Sequence, residues 1–586
     1  MEAITVVAKV RNSIRRSQKT QKKAGYRSIL IVLGIVLIIR IIHLAFAIRS
    51  PLSFQLSPDE DYYMRFALSV AQGSGGSTVQ FAFMDPVFGY IAGTVFKLFG
   101  SSLVALYILQ IIVDTFTAFC VFLIGRELRR PRAGLWAALI YGFTVTSLLF
   151  CTSMLKTIWV ANFMTVWVLC GLLLLRKSRM CGWLLFGLLC GYGIALRSTL
   201  TLMAGVAIVL PWFSAIQEGR TRWEPVRATG MILLGLMLPI LMLSLRNLRT
   251  IGSFSPLPTN GGVVLHQRYN PDNPTADNWI PSFVSYSHPI DIQRGYTQEA
   301  QRRLGRTVSP REVDAYWRGQ AMSYIYSHPS HVAGNILRKF ALFLAYPEIP
   351  NDRSLTDERL FSPVLNILPS PFGWLLALGV PGFALLLWHD RRGWLVLAPI
   401  ATVIFIVSVF DAIDRFRFQA VPLFALGTGL FLEYLYEYLK QKRTKQSAIM
   451  LTAAAVLGAL SVSLAGFAPF PQTRWDRAIL GYLKMGKREE AKELAMRAVE
   501  EQPGNFKIQQ ALGAIAVSEG DDAGAVNFYR RAVELKPDSF VDQYNLAVAL
   551  VKVGLRQEAM EHAAMAVRIF PSPENTELLQ RLTEGK

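Results

Sequence analysis

Apolar stretches of roughly twenty residues, the length an α-helix needs to cross a bilayer core, recur along the first 470 positions and are separated by clusters of charge. The first covers 28–48. The flank before it, residues 1–27, carries eight basic side chains from Lys9 to Arg27 against one acid, Glu2. That excess predicts a cytoplasmic N-terminus. Ala45-Phe46-Ala47 imitates a signal-peptidase site. The run is nevertheless long for a signal-peptide core and is interrupted by Arg40, so an uncleaved anchor is predicted.

Flanking charge orients the remaining stretches. Those at 103–124, 158–175, 372–388 and 421–438 end in basic clusters, and these are expected on the cytoplasmic side. Those at 133–150, 229–245, 395–410 and 449–467 lead outward, and 181–214 forms a hairpin with Arg197 near its apex. The sum is about eleven spans, which puts the C-terminus outside. Two shorter apolar segments, 86–99 and 332–346, read as interfacial helices on the outer face.

A different periodicity takes over near the C-terminus. Pro503, Pro537 and Pro571 are 34 residues apart, as are Gly486, Gly520 and Gly554. Ala491, Ala525 and Ala559 keep that interval, and so do Ala498, Ala532 and Ala566. A 34-residue unit with small residues where helices cross and a closing proline is the tetratricopeptide pattern. The fold class expected is therefore all-α: a polytopic transmembrane helical bundle of about eleven spans, followed by a tetratricopeptide-repeat α-solenoid. The boundaries expected are a basic tail at 1–27, a membrane domain at 28–470 and three repeats at 474–586. Outer loops occupy 49–101 and 246–371.

Composition sharpens this picture. Hydrophobic residues make up 52% of the chain and charged ones only 17%, too little charge to cover a soluble protein of this length. The formal charge of +20 sits almost wholly before residue 474, because acids and bases nearly balance in the repeats. Nucleic acid is thus excluded as a partner, since no soluble domain carries the charge. All five cysteines lie inside apolar stretches, which leaves no disulfide framework and no metal-binding pair. The one Asn-x-Thr sequence, Asn273-Pro274-Thr275, is blocked by its proline, in keeping with a bacterial envelope protein.

Three polar features on the outer side are candidates for chemistry. Asp59-Glu60-Asp61 follows the first span closely, and adjacent acids suit a divalent cation or a general base. The plain alternative is a solvated turn, since Ser57-Pro58-Asp59-Glu60 is also a good helix start. Lys156, Arg197, Arg246, Arg415 and Arg417 fall at or near the same face. Any one of them could snorkel to lipid phosphates, but five together point to an anionic ligand such as a lipid phosphate. The loop 256–281 holds Asn260-Gly261-Gly262 and Asn270, where paired glycines allow close approach and asparagine serves sugar hydroxyls.

In this order the motifs resemble the GT-C class of integral membrane glycosyltransferases, which includes protein mannosyltransferases and aminoarabinose transferases. Asp59-Glu60 with Tyr62 follows the first span, and Asp85-Pro86 precedes a segment closing Phe96-Lys97-Leu98-Phe99-Gly100. Thr259-Asn260-Gly261-Gly262 with Asn270-Pro271 is similar to a loop of bacterial members that also carry tetratricopeptide repeats. Asp414-Arg415-Phe416-Arg417-Phe418 with Pro422 resembles their late outer motif. The likeness covers about residues 28–440 and the repeats. It implies an inverting transfer from a polyprenyl-phosphate sugar to a glycan, lipid or protein acceptor. On this chain Asp59 would be the catalytic base, with Glu60 supporting it or holding a metal. Lys156, Arg197, Arg415, Arg417 and Arg246 would bind the donor phosphate. Asp85, Asn260, Gly261, Gly262 and Asn270 would line the substrate loop. Metal use varies in the class, and Mg²⁺ or Mn²⁺ held by Asp59 and Glu60 is the form it would take here. The chain departs from its relatives at Met84-Asp85, at Gln267-Arg268-Tyr269 and around Lys156, where an acid many members carry is missing.

The expectation is thus a glycosyltransferase of the bacterial inner membrane, surrounded by lipid, with periplasmic or extracellular repeats that recruit a protein partner. Two other classes are open: a repeat scaffold anchored by the membrane part, and a transporter of a lipid-linked or anionic substrate. A transporter would favour ionisable groups near mid-membrane, and eleven spans exceed what an anchor needs.

Overall fold

The computed structural model describes residues 27–586 apart from 77, 219–222, 285–287, 370–371, 469–472 and 585–586. The basic tail up to residue 26 lies outside the described residues. Every regular element among the described residues is an α-helix or a 3₁₀ turn. Eight helices are long and apolar enough to span a membrane: Arg27–Ala47, Leu103–Glu127, Thr157–Arg176, Trp223–Ile251, Phe372–His389, Arg391–Val409, Asp414–Lys440 and Thr444–Phe467. A ninth is reached if Pro131–Gly142 and Val145–Cys151, bent by 59° at their junction, form one broken span. The expected hairpin at 181–214 is a pair of shorter apolar helices, Met180–Leu196 and Ser198–Phe213. A count of eleven therefore requires both of these to cross as well.

Asp414–Lys440 runs through the centre, with 89% of its apolar window buried, whereas Thr444–Phe467 lies at the rim with 17%. Glycines let the central helix approach its neighbours. A Cβ on Gly382 would lie 1.9 Å from the Gly427 carbonyl oxygen, and one on Gly429 2.2 Å from that of Ala133. Small residues at helix contacts are the usual means of close packing in a bilayer.

One ion pair ties the first span into the bundle. Arg40 and Asp114 are both fully buried, and Arg40 Nε donates to Asp114 Oδ2 at 2.6 Å. The guanidinium also donates to Ser147 Oγ (2.7 Å) and to the carbonyls of Val36 and Gly142, while the Tyr141 hydroxyl donates to Asp114. The bend after Gly142 thus brings Tyr141 and Ser147 onto one carboxylate. Removing one partner of a buried pair leaves an uncompensated charge. Asp114→Ala is expected to cost about 3–5 kcal/mol, read as a lowered midpoint of thermal unfolding in detergent.

The stretch 246–371, expected as a loop, contains an ordered set of helices. Gly261–Arg268, Pro289–Leu304 and Pro310–Ser327 pack around Trp317, Tyr296, Val263 and Phe83. The segments expected to lie at the interface are the helices Val87–Phe99 and Pro329–Leu344.

The repeats form three helix pairs, from Trp475–Lys484 to Arg556–Ile569, closed by a seventh helix, Pro573–Glu584. The 34-residue glycines sit between the two helices of each pair with φ of +73°, +79° and +82°. That left-handed conformation is open to glycine without steric cost. The periodic alanines are fully buried where helices cross.

Candidate functional site

The acids Asp59, Glu60 and Asp61 open the helix Pro58–Ala71. Ser57 caps it: its hydroxyl accepts from the Glu60 amide, and the Glu60 carboxylate accepts from the Ser57 amide at 3.0 Å. Successive side chains on an α-helix diverge by about 100°, so the three neighbouring acids meet three different environments. Asp59 and Asp61 face a cavity of about 1100 Å³; Glu60 does not.

Glu60 turns inward and is fully buried. It accepts from Arg353 Nε at 2.8 Å and from the Met154 amide at 3.1 Å, with Arg477 4.0 Å away. Burial works to raise its pKa, but Arg353, Arg477 and the Ser57 amide prevail and hold it below the usual carboxylate range. The expectation that Glu60 supports the base or holds a metal is corrected: both of its carboxylate oxygens are bonded to structural partners, Oε1 to Arg353 and the Met154 amide and Oε2 to the Ser57 amide. The pair Asp59 and Glu60 therefore does not fit Mg²⁺ or Mn²⁺ in this arrangement. Among the described residues, no group of three or more His, Cys, Asp or Glu side chains is placed to hold a metal ion. Glu60→Ala is expected to lower stability by about 3–5 kcal/mol, because it leaves two largely buried cations, Arg353 and Arg477, with Glu358 as the one remaining acid bonded to Arg353. A thermal melt of the purified chain measures it.

Asp59 has one charged partner. Arg415 Nη1 donates to its Oδ2 at 2.6 Å, and the same nitrogen contacts Asp352. Arg415 lies in the short helix Asp414–Arg417, which opens the central element Asp414–Lys440. Burial pushes the Asp352 carboxyl up, Arg415 opposes the rise, and Asp59 and Glu60 add to it, leaving Asp352 at about 6. Arg197 and Arg415 flank the ring of Phe416, at 4.0 and 5.2 Å from its centroid. Arg197 is 9% exposed and lines the cavity, and among the described residues its guanidinium has no ion-pair or hydrogen-bond partner. A buried cation without an anion is costly unless it meets one in the cavity it faces.

Lys156 also lines the cavity but is paired, donating to Asp85 Oδ2 at 2.6 Å. Asp85 Oδ1 accepts from the Ser198 amide at 3.1 Å, so this acid fixes the turn that presents Arg197. Asn260 and Gly261 reach the cavity wall. Gly262 does not: its amide donates to Asp314, and a Cβ there would lie 1.9 Å from the Asp314 carbonyl oxygen. Its role is close helix packing. Asn270 is likewise internal, donating to the His266 carbonyl at 2.7 Å and accepting from the Asp272 amide at 2.8 Å.

Two expected phosphate ligands lie elsewhere. Arg246 donates to the carbonyls of Phe81 (2.6 Å) and Gly76 (3.2 Å) and to the Tyr90 hydroxyl, which pins the loop after the helix Pro58–Ala71. Arg417 is fully buried, bonded to the carbonyls of Ala345 and Pro347 and to Glu348 at 2.7 Å. Both hold backbone in place, and neither faces the cavity.

Sequence reasoning missed Asp352, the pair Arg268 and Asp411, and the repeat-domain residues Arg474, Arg477, Lys484 and Lys507, all of which line the cavity. Nothing in the spacing of Asp352 marks it; it meets Arg415 across 63 residues.

Comparison with known proteins adds an independent line. Residues 84–244 match the family model for dolichyl-phosphate-mannose-protein mannosyltransferase, and residues 506–539 match a tetratricopeptide repeat. The first match includes Asp85, Lys156 and Arg197 and stops short of Asp59 and Arg415. Comparison with curated proteins gives no match. Among solved structures, the oligosaccharyltransferase of Archaeoglobus fulgidus in its apo form is similar at 15% identity and a TM-score of 0.42. The match covers 77% of this chain and 57% of that one. The archaeal oligosaccharyltransferase AglB from the same organism, in complex with an inhibitory peptide and a dolichol-phosphate, matches at 14% identity and a TM-score of 0.39. That match covers 77% of this chain and 57% of the other. The chain thus spans little more than half the length of these structures. With the helical periods described above, this is a multi-pass membrane protein in which residues 84–244 resemble the dolichyl-phosphate-mannose-protein mannosyltransferase family and the C-terminal helix pairs include a tetratricopeptide repeat.

Proposed function

We propose that the chain transfers a sugar from a polyprenyl-phosphate donor to a hydroxyl group of a lipid, glycan or protein acceptor. The work would take place on the periplasmic face of a bacterial inner membrane, with the N-terminus cytoplasmic and the repeats outside. The observation that carries this reading is Arg197: a largely buried, unpaired guanidinium facing the cavity that Asp59 also faces. The match of residues 84–244 to a family named for a lipid-phosphate-linked mannose supports the donor class.

In the reaction Asp59 takes the proton of the acceptor hydroxyl as its oxygen attacks the anomeric carbon. The bond from that carbon to the phosphate oxygen breaks, and its electron pair leaves with the polyprenyl phosphate. Arg197, aimed at that phosphate, stabilises the charge as it grows. Arg415 has a second task. Paired with Asp59 it occupies a carboxylate oxygen that would otherwise take the acceptor's proton. A donor phosphate beside Arg197 competes for Arg415 across the Phe416 ring, and drawing it off frees Asp59 for the acceptor. Lys156, paired with Asp85, contributes positive charge to the same wall. No step requires a metal.

The test is transfer of radiolabelled sugar from a panel of polyprenyl-phosphate donors in membranes containing the full chain. Label must pass to an acceptor only when the chain is present. Equal label in membranes with and without it, across the whole panel, overturns the reading.

A further inference from the structure

The first repeat is docked on the backbone that carries the acids of the cavity. Arg477, in the helix Trp475–Lys484, donates through Nη1 to the Asp352 carbonyl at 2.5 Å and through Nη2 to the Gln55 carbonyl at 2.9 Å. These carbonyls belong to two chain segments nearly three hundred residues apart in sequence, and one side chain bridges them. Gln55 lies just before the Ser57 cap that starts the helix bearing Asp59, and Asp352 shares Arg415 with Asp59. Arg474 secures the same place. It donates to the Asn351 carbonyl at 2.6 Å and to Asp357 Oδ2 at 2.9 Å. The helix is seated without slack, since a Cβ on Gly481 would lie 2.1 Å from the Pro51 carbonyl oxygen.

We propose that Arg477 is a positioning residue for transfer: by clasping the segments of Gln55 and Asp352 from the repeat domain, it holds Asp59 and Asp352 together on Nη1 of Arg415. The repeats are then a working part of the site besides any partner they recruit. Without the clasp the Gln55 carbonyl loses a charged donor and the Asp352 carbonyl keeps only the longer bond from Arg474 at 3.4 Å, and the two acids are free to separate. The proposal rests on the transferase reading of this cavity. If the unaltered chain transfers no sugar, that reading fails; the experiment below compares variants of a chain that does.

The experiment uses the full chain in membranes, measuring initial rates of sugar transfer for Arg477→Ala and Arg477→Lys with added guanidinium ion as a third arm. Arg477→Ala is expected to lose about 10²-fold in rate, the scale set by misplacing reacting groups by about 1 Å. Arg477→Lys, whose ammonium reaches only one carbonyl well, is expected to fall between. Millimolar guanidinium, added to folded Arg477→Ala, is expected to restore part of the rate while leaving Arg531→Ala, a surface variant of the second repeat, unaffected. A merely structural role would not respond to guanidinium after folding. Unchanged rates in Arg477→Ala, or a loss that guanidinium leaves untouched, overturn the proposal. If Arg477→Ala does not accumulate, the lysine variant decides: wild-type rates in it overturn the clasp, and a reduced rate at equal protein and unaltered melting supports it.

Discussion

Asp59→Asn is expected to lower sugar transfer by about 10²–10⁴-fold, the range that a positioned general base contributes. Asparagine has almost the same shape and still accepts a hydrogen bond from Arg415, so the fold is kept while the proton acceptor is lost. Stability serves as the internal control. Asp59 is part-exposed on the cavity wall, and its removal strands no buried group, since Arg415 keeps Asp352. Rate loss at unchanged thermal midpoint would assign the base. Equal rates in both proteins would remove Asp59 from the chemistry, and Asp352, whose carboxyl rises to about 6, would be the next acid to test. The contrast with Glu60→Ala is sharp, because that neighbour should fail by unfolding.

Arg197→Ala should be the second large effect, a loss of about 10²–10³-fold in kcat on the scale of removing one donor from a charge-stabilising site. The reason is the absence of competition: Lys156 and Arg415 already have carboxylates, whereas Arg197 has only the Phe416 face. Arg197→Lys should recover part of the rate, since it restores charge without the planar stacking. Single-turnover transfer with saturating donor separates the two contributions. An Arg197→Ala protein with normal turnover once donor is saturating would make Arg197 a binding residue that does not stabilise the leaving group. Normal turnover together with normal donor affinity would remove it from the site.

Much of this was legible in the order of residues, where chemistry and period coincide. The spans are visible because hydrocarbon admits few polar groups, and the repeats because each unit must present the same small residues to its neighbours. The stretch 246–371 was not, because its helices are polar on one face and stabilised by rings such as Trp317 and Tyr296 that sequence distance hides. Adjacent residues taught the same lesson at finer scale. Asp59 and Glu60 look alike on paper, yet a single step of about 100° around the helix sends one to the cavity and the other to Arg353. Arg415 and Arg417 are two positions apart, and one meets the acids of the cavity while the other ties carbonyls and Glu348 away from it. Asp59 and Arg415 are 356 residues apart, and no local pattern predicts their meeting.

The ion pair between Arg40 and Asp114 bears on how the chain is made. The two residues are 74 positions apart, roughly 4–15 s of synthesis at about 5–20 residues per second. For that interval the first apolar helix carries an unneutralised guanidinium, a penalty of about 2.5–3.5 kcal/mol at a helix centre on insertion scales. Its settlement in the bilayer is therefore expected to be completed by a later segment, with the helices Arg27–Ala47 and Leu103–Glu127 stabilised as partners and not in turn.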